Sequence, residues 1–487
     1  MLDKYSYSAQ PVLQINFSMN IKPDDRVGKR VDNLRSCHAQ KGLALCLALT
    51  LLLLRISRVS AEDDTVGYRH EFYREDNNRI KVDTDSGHFD IGLGSKVRFN
   101  GDVVYDAISG ATPTGAPAQT KWPFPTFNDL YHTAYKQAYT GQFNQFVGEN
   151  QIYVDAGYET YHEMTNSAAQ YALTTAPGIA TNSATSSFHS LTNNPNFRKN
   201  TVPLTQMHDH RVAFSLGLPV TLKSHLITPS FAYSEESDYI SHGVALNDSI
   251  FLKNKNTTLN LGWSHNFDRV VDDKFIWQNK NSDDILIGCV QLLGPKSYLT
   301  ANVTLGFESG YLSDPYRGVM AANFLQTNPD DAALLPEKRP RNRTKEILYL
   351  SWTQFVDPLN GSLELGYRYF HDNWDINAHT MDFNWHQKIG KRIVVSPHFR
   401  YYYQTAVNFY DVMVPDFNNL PKAYSADYRL SEFQSLAFGV KVTCRIHRYV
   451  SLDAGYMRYV MEGLDGITSP SAYPSANVFT IGARVWF

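Results

Sequence analysis

The chain ends with VFTIGARVWF (residues 478–487), in which apolar side chains stand at every second position. These positions are Phe479, Ile481, Ala483, Val485 and Phe487. A spacing of two places them on one face of a β-strand, with the residues between them on the other face. The stretch therefore predicts a strand that has one apolar face, one mostly polar face and an aromatic residue at its end.

The same alternation recurs in SLAFGVKVTCR (435–445), YVSLDAGYM (449–457), YLTANVTLGFE (298–308) and SLELGYRY (362–369). The apolar faces extend over about 9–11 residues, which is the length of a tilted transmembrane strand. The opposite faces carry charges and glycines rather than a second apolar set. The 30 Tyr and 27 Phe suit the aromatic girdles of a membrane barrel. The pattern favours strands that face lipid on one side and water on the other.

An export signal is predicted near the start of the chain. The apolar run GLALCLALTLLLL (42–54) follows a basic stretch and is too short for a typical spanning helix. The small residues Val59-Ser60-Ala61 come after it, as at a signal-peptide cleavage site. We predict that residues 1–61 are an over-long start plus a secretory signal peptide, cleaved after Ala61, and that the barrel occupies residues 62–487.

The exported part of the chain is mildly acidic. Removal of residues 1–61 takes away 9 basic and 4 acidic residues and leaves 36 and 44, a net charge of −8. This balance argues against a nucleic-acid partner. Cys289 and Cys444 are the cysteines that remain, too few for a disulfide framework in so long a chain.

About sixteen strand-like segments are predicted between residues 65 and 487. If the first begins in the periplasm, the even-numbered connections are short, among them Asn100-Gly101, Lys223-Ser224 and Ile446-His447. The long connections are odd-numbered, among them 312–344, 405–427 and 462–475. This sorting is typical of outer-membrane barrels. The sequence therefore predicts an all-β, transmembrane, antiparallel up-and-down β-barrel of about 16 strands in the bacterial outer membrane, with short periplasmic turns and long extracellular loops.

Two loop segments have open interpretations. Residues 110–208 form a long loop or insertion, with one strand-like piece at 151–161, which either stays outside the barrel or folds inward and narrows the lumen. The basic segment EKRPRNRTK (337–345) is either a solvated loop or a contact to anionic lipopolysaccharide or to an anionic solute.

The alternation also assigns a direction to side chains. The apolar residues of the last strand are expected to face lipid, and a terminal Phe after alternating hydrophobics resembles the signal that barrel-insertion machinery recognises. The inward face collects charges of both signs, which we expect to line the pore lumen: Glu308, Glu364, Arg368, Arg400, Lys441, Asp453 and Arg484. Since opposite charges on neighbouring strands can pair across the wall, we expect no strong ion selectivity from the wall alone.

Five short motifs occur at the predicted outer ends of strands: DAISGATP (106–113), SGYLSDPYR (309–317), DNWDINAHT (372–380), RYYYQTAVNFY (400–410) and YSADYRLS (424–431). Together they resemble a family of Gram-negative outer-membrane proteins known as a domain of unknown function. The resemblance implies a barrel, often encoded near thioredoxin-like and flavin-transfer proteins, and hints at an envelope redox or metal-related system. The candidate functional residues of these motifs are Asp106, Ser109, Gly110, Asp314, Pro315, Tyr316 and Arg317, although Ser-Gly and Asp-Pro also form turns.

Enzyme and cofactor motifs are missing from the sequence, which contains no G-x-S-x-G elbow, P-loop or H-E-x-x-H. His208 and His210 share one strand face, but a metal site needs further ligands, so rim histidines are the simpler interpretation. The sequence favours a porin-like channel for small hydrophilic solutes, with no catalytic residues, metal or cofactor. The alternative is a closed barrel that acts as a scaffold or binding platform for an envelope partner; an outer-membrane enzyme is the third hypothesis.

Overall fold

The computed structural model describes residues 64–113, 204–321, 333–414 and 419–487. The predicted signal peptide, its cleavage after Ala61, the strand-like piece 151–161 and most of the predicted insertion 110–208 lie outside these residues.

Sixteen long strands build one closed sheet. They are β1 (Thr65–Glu75), β2 (Lys81–Gly92), β3 (Arg98–Pro113), β4 (Leu204–Gly217), β6 (His225–Glu235), β7 (Tyr239–Leu252), β8 (Thr257–Val271), β9 (Trp277–Gly294), β10 (Ser297–Gly310), β13 (Asn342–Val356), β14 (Gly361–Asp372), β15 (Asn377–Ile389), β16 (Ile393–Gln404), β18 (Phe433–His447), β19 (Val450–Gly463) and β20 (Ser475–Trp486). Short strands are β5 (Val220–Leu222), β11 (Gly318–Ala321), β12 (Ala333–Pro336) and β17 (Met413–Val414). Short 3-10 helices lie at Asp76–Asn78, Lys253–Lys255, Asp357–Leu359, Tyr428–Leu430 and Pro470–Ala472.

The last strand closes the barrel against the first. β1 and β20 pair antiparallel from Thr65 opposite Trp486 to Glu75 opposite Ala476. Asp64 and Phe487 extend the ladder with two reciprocal backbone hydrogen bonds of 3.1 and 3.0 Å. Because every long strand has a partner on both sides, no sheet edge is left open, as a spanning sheet requires. The predicted up-and-down antiparallel barrel of sixteen strands is confirmed.

The apolar face of the wall is the exposed one. On β10, Leu299, Val303 and Phe307 are 42%, 46% and 45% exposed, whereas Thr300 and Thr304 between them are more shielded. A water-soluble protein has the opposite arrangement, but a barrel in lipid needs an apolar outer surface. The predicted alternation of lipid-facing and inward-facing side chains therefore matches the wall. In the described ranges, no helix is long and apolar enough to cross a membrane.

The connections differ between the two ends of the barrel. One end of the barrel, which we name the turn end, holds the start of β1 and the end of β20. It also carries short connections such as 253–256, 295–296 and 448–449. The opposite end, the loop end, carries the long connections 311–341, 405–432 and 464–474. This is the predicted sorting of loops.

The turn predicted at Asn100-Gly101 is wrong. Both residues lie inside β3, where Gly101 pairs with Phe89 and Leu216 on its two neighbours. The chain instead reverses at 93–97, where Gly94 has a φ of +127°. A Cβ on Gly101 would lie 2.7 Å from the Ser215 carbonyl oxygen, so this glycine permits close strand contact and does not form a turn.

The buried clusters lie at the loop end. We name the described parts of the loops 311–341, 405–432 and 464–474 the loop cap. Within it, β11 pairs with β12 and with β17 in a small three-stranded sheet. One apolar cluster joins Trp374, Ile376, Val407 and Leu430, and another joins Val319, Val414 and Tyr424. The loop cap is therefore a packed structure with its own buried interior.

Candidate functional site in the loop cap and the upper lumen

Six charged side chains form a buried ionic group inside the loop cap. We name it the cap cluster; its members are Asp314, Arg317, Glu337, Arg339, Asp427 and Arg429. Arg317 Nε lies 3.7 Å from Asp314 Oδ2 and 3.9 Å from Asp427 Oδ2. Arg339 binds Glu337 at 2.6 Å and Asp427 at 2.8 Å. Arg429 contacts Asp427 at 2.5 Å and also pairs with Asp314. Three guanidiniums thus meet three carboxylates, drawn from three segments distant in sequence.

The centre of the cap cluster is deeply buried, which makes its charge balance important. Arg317 and Asp427 are each 1% exposed. Burial would raise the pKa of Asp427, but Arg429, Arg317 and Arg339 outweigh it and hold that pKa well below its usual range. Removal of one charge from such a group leaves an opposite charge buried and uncompensated, which typically costs 3–5 kcal/mol.

Local turns place the carboxylates of this cluster. Asp314 Oδ1 accepts a hydrogen bond of 3.0 Å from the Tyr316 amide, as an aspartate ahead of a Pro-containing turn commonly does. Asp427 accepts a bond of 3.1 Å from the Arg429 amide and so caps the 3-10 helix Tyr428–Leu430. The motifs SDPYR and SADYR therefore each encode a turn and a charged group together.

The structure brings most of the predicted motif residues together. Tyr316 packs against Ile80, Val82 and Ile108, and its hydroxyl donates to Asp238. Ile108 belongs to the motif that contains Ser109 and Gly110, so the first two motifs meet through this tyrosine. Pro315 lies in the same turn as Asp314. Asp106 is apart from them: it lies on β3 and accepts bonds of 2.6 Å from Thr84 and from Arg211.

The basic segment 337–345 is not a solvated loop. Arg339 pairs inside the cap cluster, Arg343 pairs with Asp372 at 2.6 Å, and Lys345 pairs with Glu308 at 2.9 Å. The partners Asp427, Asp372 and Glu308 were not predictable from the sequence, because each lies on another strand or loop.

Charged side chains on the inner wall form pairs across neighbouring strands. Arg400 binds Asp382 at 2.6 Å and Lys441 lies 3.5 Å from Asp453. These four side chains are 15–33% exposed, so water reaches them from the lumen side. Of the predicted inward residues, Arg368 and Arg484 have no ion-pair partner among the described residues.

Asp382 and His398 are inner-wall residues that the sequence analysis missed. His398 Nε2 lies 3.3 Å from Asp382 Oδ1. The sequence pattern indicates an inward position for Asp382, since this residue stands between the apolar Met381 and Phe383 on β15. Its partners could not be predicted, because they depend on the register between β15 and β16.

A serine and a histidine lie within hydrogen-bond distance lower on the inner wall. Ser396 Oγ is 2.9 Å from His386 Nδ1, and His386 Nε2 is 3.9 Å from Glu364 Oε2. The second distance is too long for a hydrogen bond that would orient the imidazole. Ser396 pairs with Lys441 on β18, and the neighbouring Pro397 has no amide hydrogen that could donate to an oxyanion.

Three carboxylates converge next to the cap. Asp209, Glu236 and Asp238 each have an oxygen within 4.8 Å of the others. Burial, followed by the negative charge of Asp238, raises the pKa of Glu236 to about 8. Burial also raises the pKa of Asp238 to about 6. His208 and His210 flank Asp209 in sequence but share the opposite strand face, where His210 Nδ1 is 3.1 Å from the Tyr105 hydroxyl.

The sequence matches a family model described as Protein of unknown function (DUF3570), over residues 43–274 and 272–470. Among curated proteins, no match was found.

Several solved outer-membrane proteins are similar in structure. The siderophore receptor PirA from Pseudomonas aeruginosa has 8% identity and a TM-score of 0.36, over 88% of this chain and 62% of that one. CdiB from Acinetobacter baumannii has 7% identity and a TM-score of 0.41, over 87% and 60%. OccK5 (OpdH) from Pseudomonas aeruginosa has 7% identity and a TM-score of 0.37, over 88% and 100%. The chain thus spans about three fifths of the length of PirA and CdiB.

Proposed function

The chain belongs to the DUF3570 family, and we propose that it is a bacterial outer-membrane channel through which small hydrophilic solutes pass. The loop cap forms the outer mouth of this channel, and the inner wall lines its lumen with the predicted residues Glu308, Glu364, Arg368, Arg400, Lys441, Asp453 and Arg484.

One observation carries this proposal: the inner-wall ion pairs remain partly exposed, whereas Arg317 and Asp427 at the centre of the cap cluster do not. The side chains of Arg400 and Asp382 are 33% and 17% exposed, but those of Arg317 and Asp427 are 0% and 1% exposed. A lumen packed with side chains would bury its wall charges to a similar degree. Sixteen strands also enclose more space than side chains fill, which usually leaves an aqueous channel.

Liposome swelling tests the proposal with uncharged solutes. The chain from residue 62 onward would be refolded into liposomes and diluted into isotonic solutions of sugars of increasing size. We expect fast swelling with a pentose, slower swelling with a disaccharide and none with a large oligosaccharide. Heat-modifiable gel mobility would confirm that the barrel is folded. Folded protein in liposomes that swell with no sugar would contradict the proposal.

A second candidate function is a binding platform for an envelope partner. The packing of the loop cap favours it, because a surface fixed by buried ion pairs needs little ordering when it binds a partner. The partner implied by the family resemblance belongs to a redox or metal-related system. A photoreactive residue at the exposed Leu420 in the loop cap, compared with one at Lys255 at the turn end, tests this function in cells. A single discrete adduct from position 420 alone would support it, and equal patterns from both positions would contradict it.

Membrane insertion is proposed to depend on the terminal apolar face. Phe479, Ile481 and Val485 are 47%, 58% and 39% exposed on the outside of β20, and Ala483 and Phe487 complete the predicted signal. The proposed reader of this face is barrel-insertion machinery, and the proposed surroundings of the outer wall are the lipid bilayer and lipopolysaccharide.

A further inference from the structure

A group of polar side chains lies on the inner wall directly beneath the loop cap. Two neighbouring rows of the sheet contribute to it, because residues paired in register lie side by side across the wall. The upper row runs from Tyr349 through Arg368 and Thr380 to Tyr402. The lower row contains Gly366, Asp382 and Arg400. All these positions share the inward strand face.

Positive charge is in excess in this group. Asp382 is the carboxylate of the two rows, and it is engaged by Arg400 at 2.6 Å and by His398 at 3.3 Å. Arg368 has no carboxylate within ion-pair distance among the described residues. Its guanidinium carbon lies 6.0 Å from the ring centre of Phe370, which fixes the side chain without neutralising it.

The group is also accessible. Gly366 lets the Tyr349 hydroxyl and Asp382 pack closely over the strand, since a Cβ there would stand 3.6 Å from that hydroxyl and 3.3 Å from Asp382 Cβ. Arg368, Tyr349 and Arg400 are all partly exposed. Phe370 and Tyr402 pack against the apolar cluster that contains Trp374 and Leu430, so the group lies where a solute that passes the loop cap first meets the wall.

We propose that Arg368, with Arg400 and the Tyr349 hydroxyl beside it, forms a binding subsite for a small anion that carries a carboxylate or phosphate group. The Tyr402 hydroxyl in the same row donates to Gln404 Oε1 at 2.6 Å, so it is not among the ligand donors. A planar guanidinium binds either group through two parallel hydrogen bonds. Arg368 is held over an aromatic ring, and no carboxylate of the described residues neutralises its charge, so it is prepared for such a ligand. The inference rests on the proposed channel function and names the class of solute for it.

The experiment measures chloride current through the refolded chain in planar bilayers while inorganic phosphate or citrate is added as the probe. We expect either probe to reduce the current with a saturating concentration dependence. In R368Q, we expect the half-blocking concentration to rise at least tenfold. In R368K, which keeps the charge but loses the planar fork, we expect a smaller rise.

R484Q is the matched control, because Arg484 is also an inward arginine that has no ion-pair partner in the described part of the chain, but it lies at the turn end of β20. We expect its half-blocking concentration to stay within about twofold of the parent value, since a site is local. Equal loss of block in R368Q and R484Q would show a general field effect and would overturn the subsite. Unchanged block in R368Q would overturn it as well.

Calorimetric titration of the detergent-refolded barrel with phosphate separates this inference from the channel proposal. A silent barrel that still binds phosphate, and loses the binding in R368Q, would contradict the channel and retain the subsite. A conducting barrel that neither binds phosphate nor is blocked by it would retain the channel and overturn the subsite.

Discussion

At the scale of single residues, Arg317 holds the loop cap together. It is 1% exposed, it lies between Asp314 and Asp427, and its guanidinium is 5.7 Å from the Tyr428 ring centre. In R317M, the hydrophobic volume remains but the positive charge is lost. We expect the loop cap to lose about 3 kcal/mol or more of stability, since two carboxylates keep their charge without this partner.

Limited proteolysis of the refolded barrel would measure this loss as faster cleavage in the loop cap. R341M is the control, because Arg341 is an exposed arginine of the same loop. Its cleavage rate should match the parent, as surface substitutions usually change stability by less than about 0.5 kcal/mol. Equal protection of R317M and the parent would show that the cap cluster does not stabilise the loops.

Glu236 is expected to make the stability of the barrel depend on pH. Burial raises its pKa in the folded barrel to about 8 from an ordinary value of 4.5. A carboxyl group with a raised pKa binds its proton more tightly in the folded state, so the free energy of unfolding falls as pH rises from about 4.5 to about 8. We expect the free energy of unfolding of E236Q to exceed that of the parent by about 2–4 kcal/mol at pH 9 and to equal it at pH 4.

Guanidinium unfolding followed by tryptophan fluorescence would measure both values. D273N, at an exposed aspartate of the next loop, should behave as the parent at both pH values. A stabilisation by E236Q that is the same at pH 4 and pH 9 would exclude titration of Glu236 as its cause.

Sequence patterns located single residues better than they located their partners. Strand alternation placed Glu308, Arg400 and Lys441 on the inner wall, because direction depends only on a period of two. Their partners Lys345, Asp382 and Asp453 depend on register between strands, which one sequence does not reveal. The cap cluster was beyond prediction for a similar reason, since its carboxylates and guanidiniums come from three segments of two separate loops.

At the scale of strands, two Ser-Gly motifs lie near the loop end of the wall, one inside β3 and one at the end of β10. Gly110 has a φ of +132° and Gly310 a φ of +109°. A Cβ on Gly110 would lie 2.0 Å from the Arg79 carbonyl oxygen, and one on Gly310 would lie 2.2 Å from that of Asn279. Both glycines let the chain pass closely against a neighbouring backbone.

G310A tests this explanation of the motif. We expect a loss of about 2 kcal/mol or more in the free energy of unfolding, because alanine adds both a steric conflict and an unfavourable φ. G87A is the control, since a Cβ on Gly87 in β2 would have no atom within 4 Å. Denaturant unfolding in lipid vesicles compares the two, and equal effects would contradict the explanation.

The two faces of β20 give a second prediction at this scale. Ile481 is 58% exposed on the outer face, and Thr480 is inward, opposite Glu71. We expect I481K to lower the free energy of unfolding by about 2–4 kcal/mol, because a lysine would enter hydrocarbon near the middle of the strand. T480K should cost less than about 1 kcal/mol, since its ammonium group reaches water and the Glu71 carboxylate.

Reversible unfolding in vesicles would rank these variants, and a larger loss in T480K than in I481K would reverse the assignment of faces.

The sequence predicted this strand within about one residue at either end, because its alternation is regular. It misplaced the turn between β2 and β3, where Asn100-Gly101 has the composition of a hairpin turn but β3 continues through it.

At the scale of the whole molecule, the sequence predicted that the sheet closes into a barrel and that the long loops lie at one end. It did not predict how these loops pack. A barrel leaves its long connections at one end, and alternating loop lengths showed this in the sequence. The loops appeared irregular in sequence, yet 311–341 and 405–432 pack into a cap with a small sheet and a buried ionic group. This cap packs at the loop end of a barrel whose inner-wall charges remain partly exposed.

Single-channel conductance tests the central claim that this lumen is an aqueous channel. The chain from residue 62 onward would be refolded, checked for heat-modifiable mobility and added to a planar bilayer in concentrated salt. We expect discrete, stable conductance steps of one main size. A barrel that is shown to be folded and inserted, yet produces no steps above the bare bilayer, would contradict it.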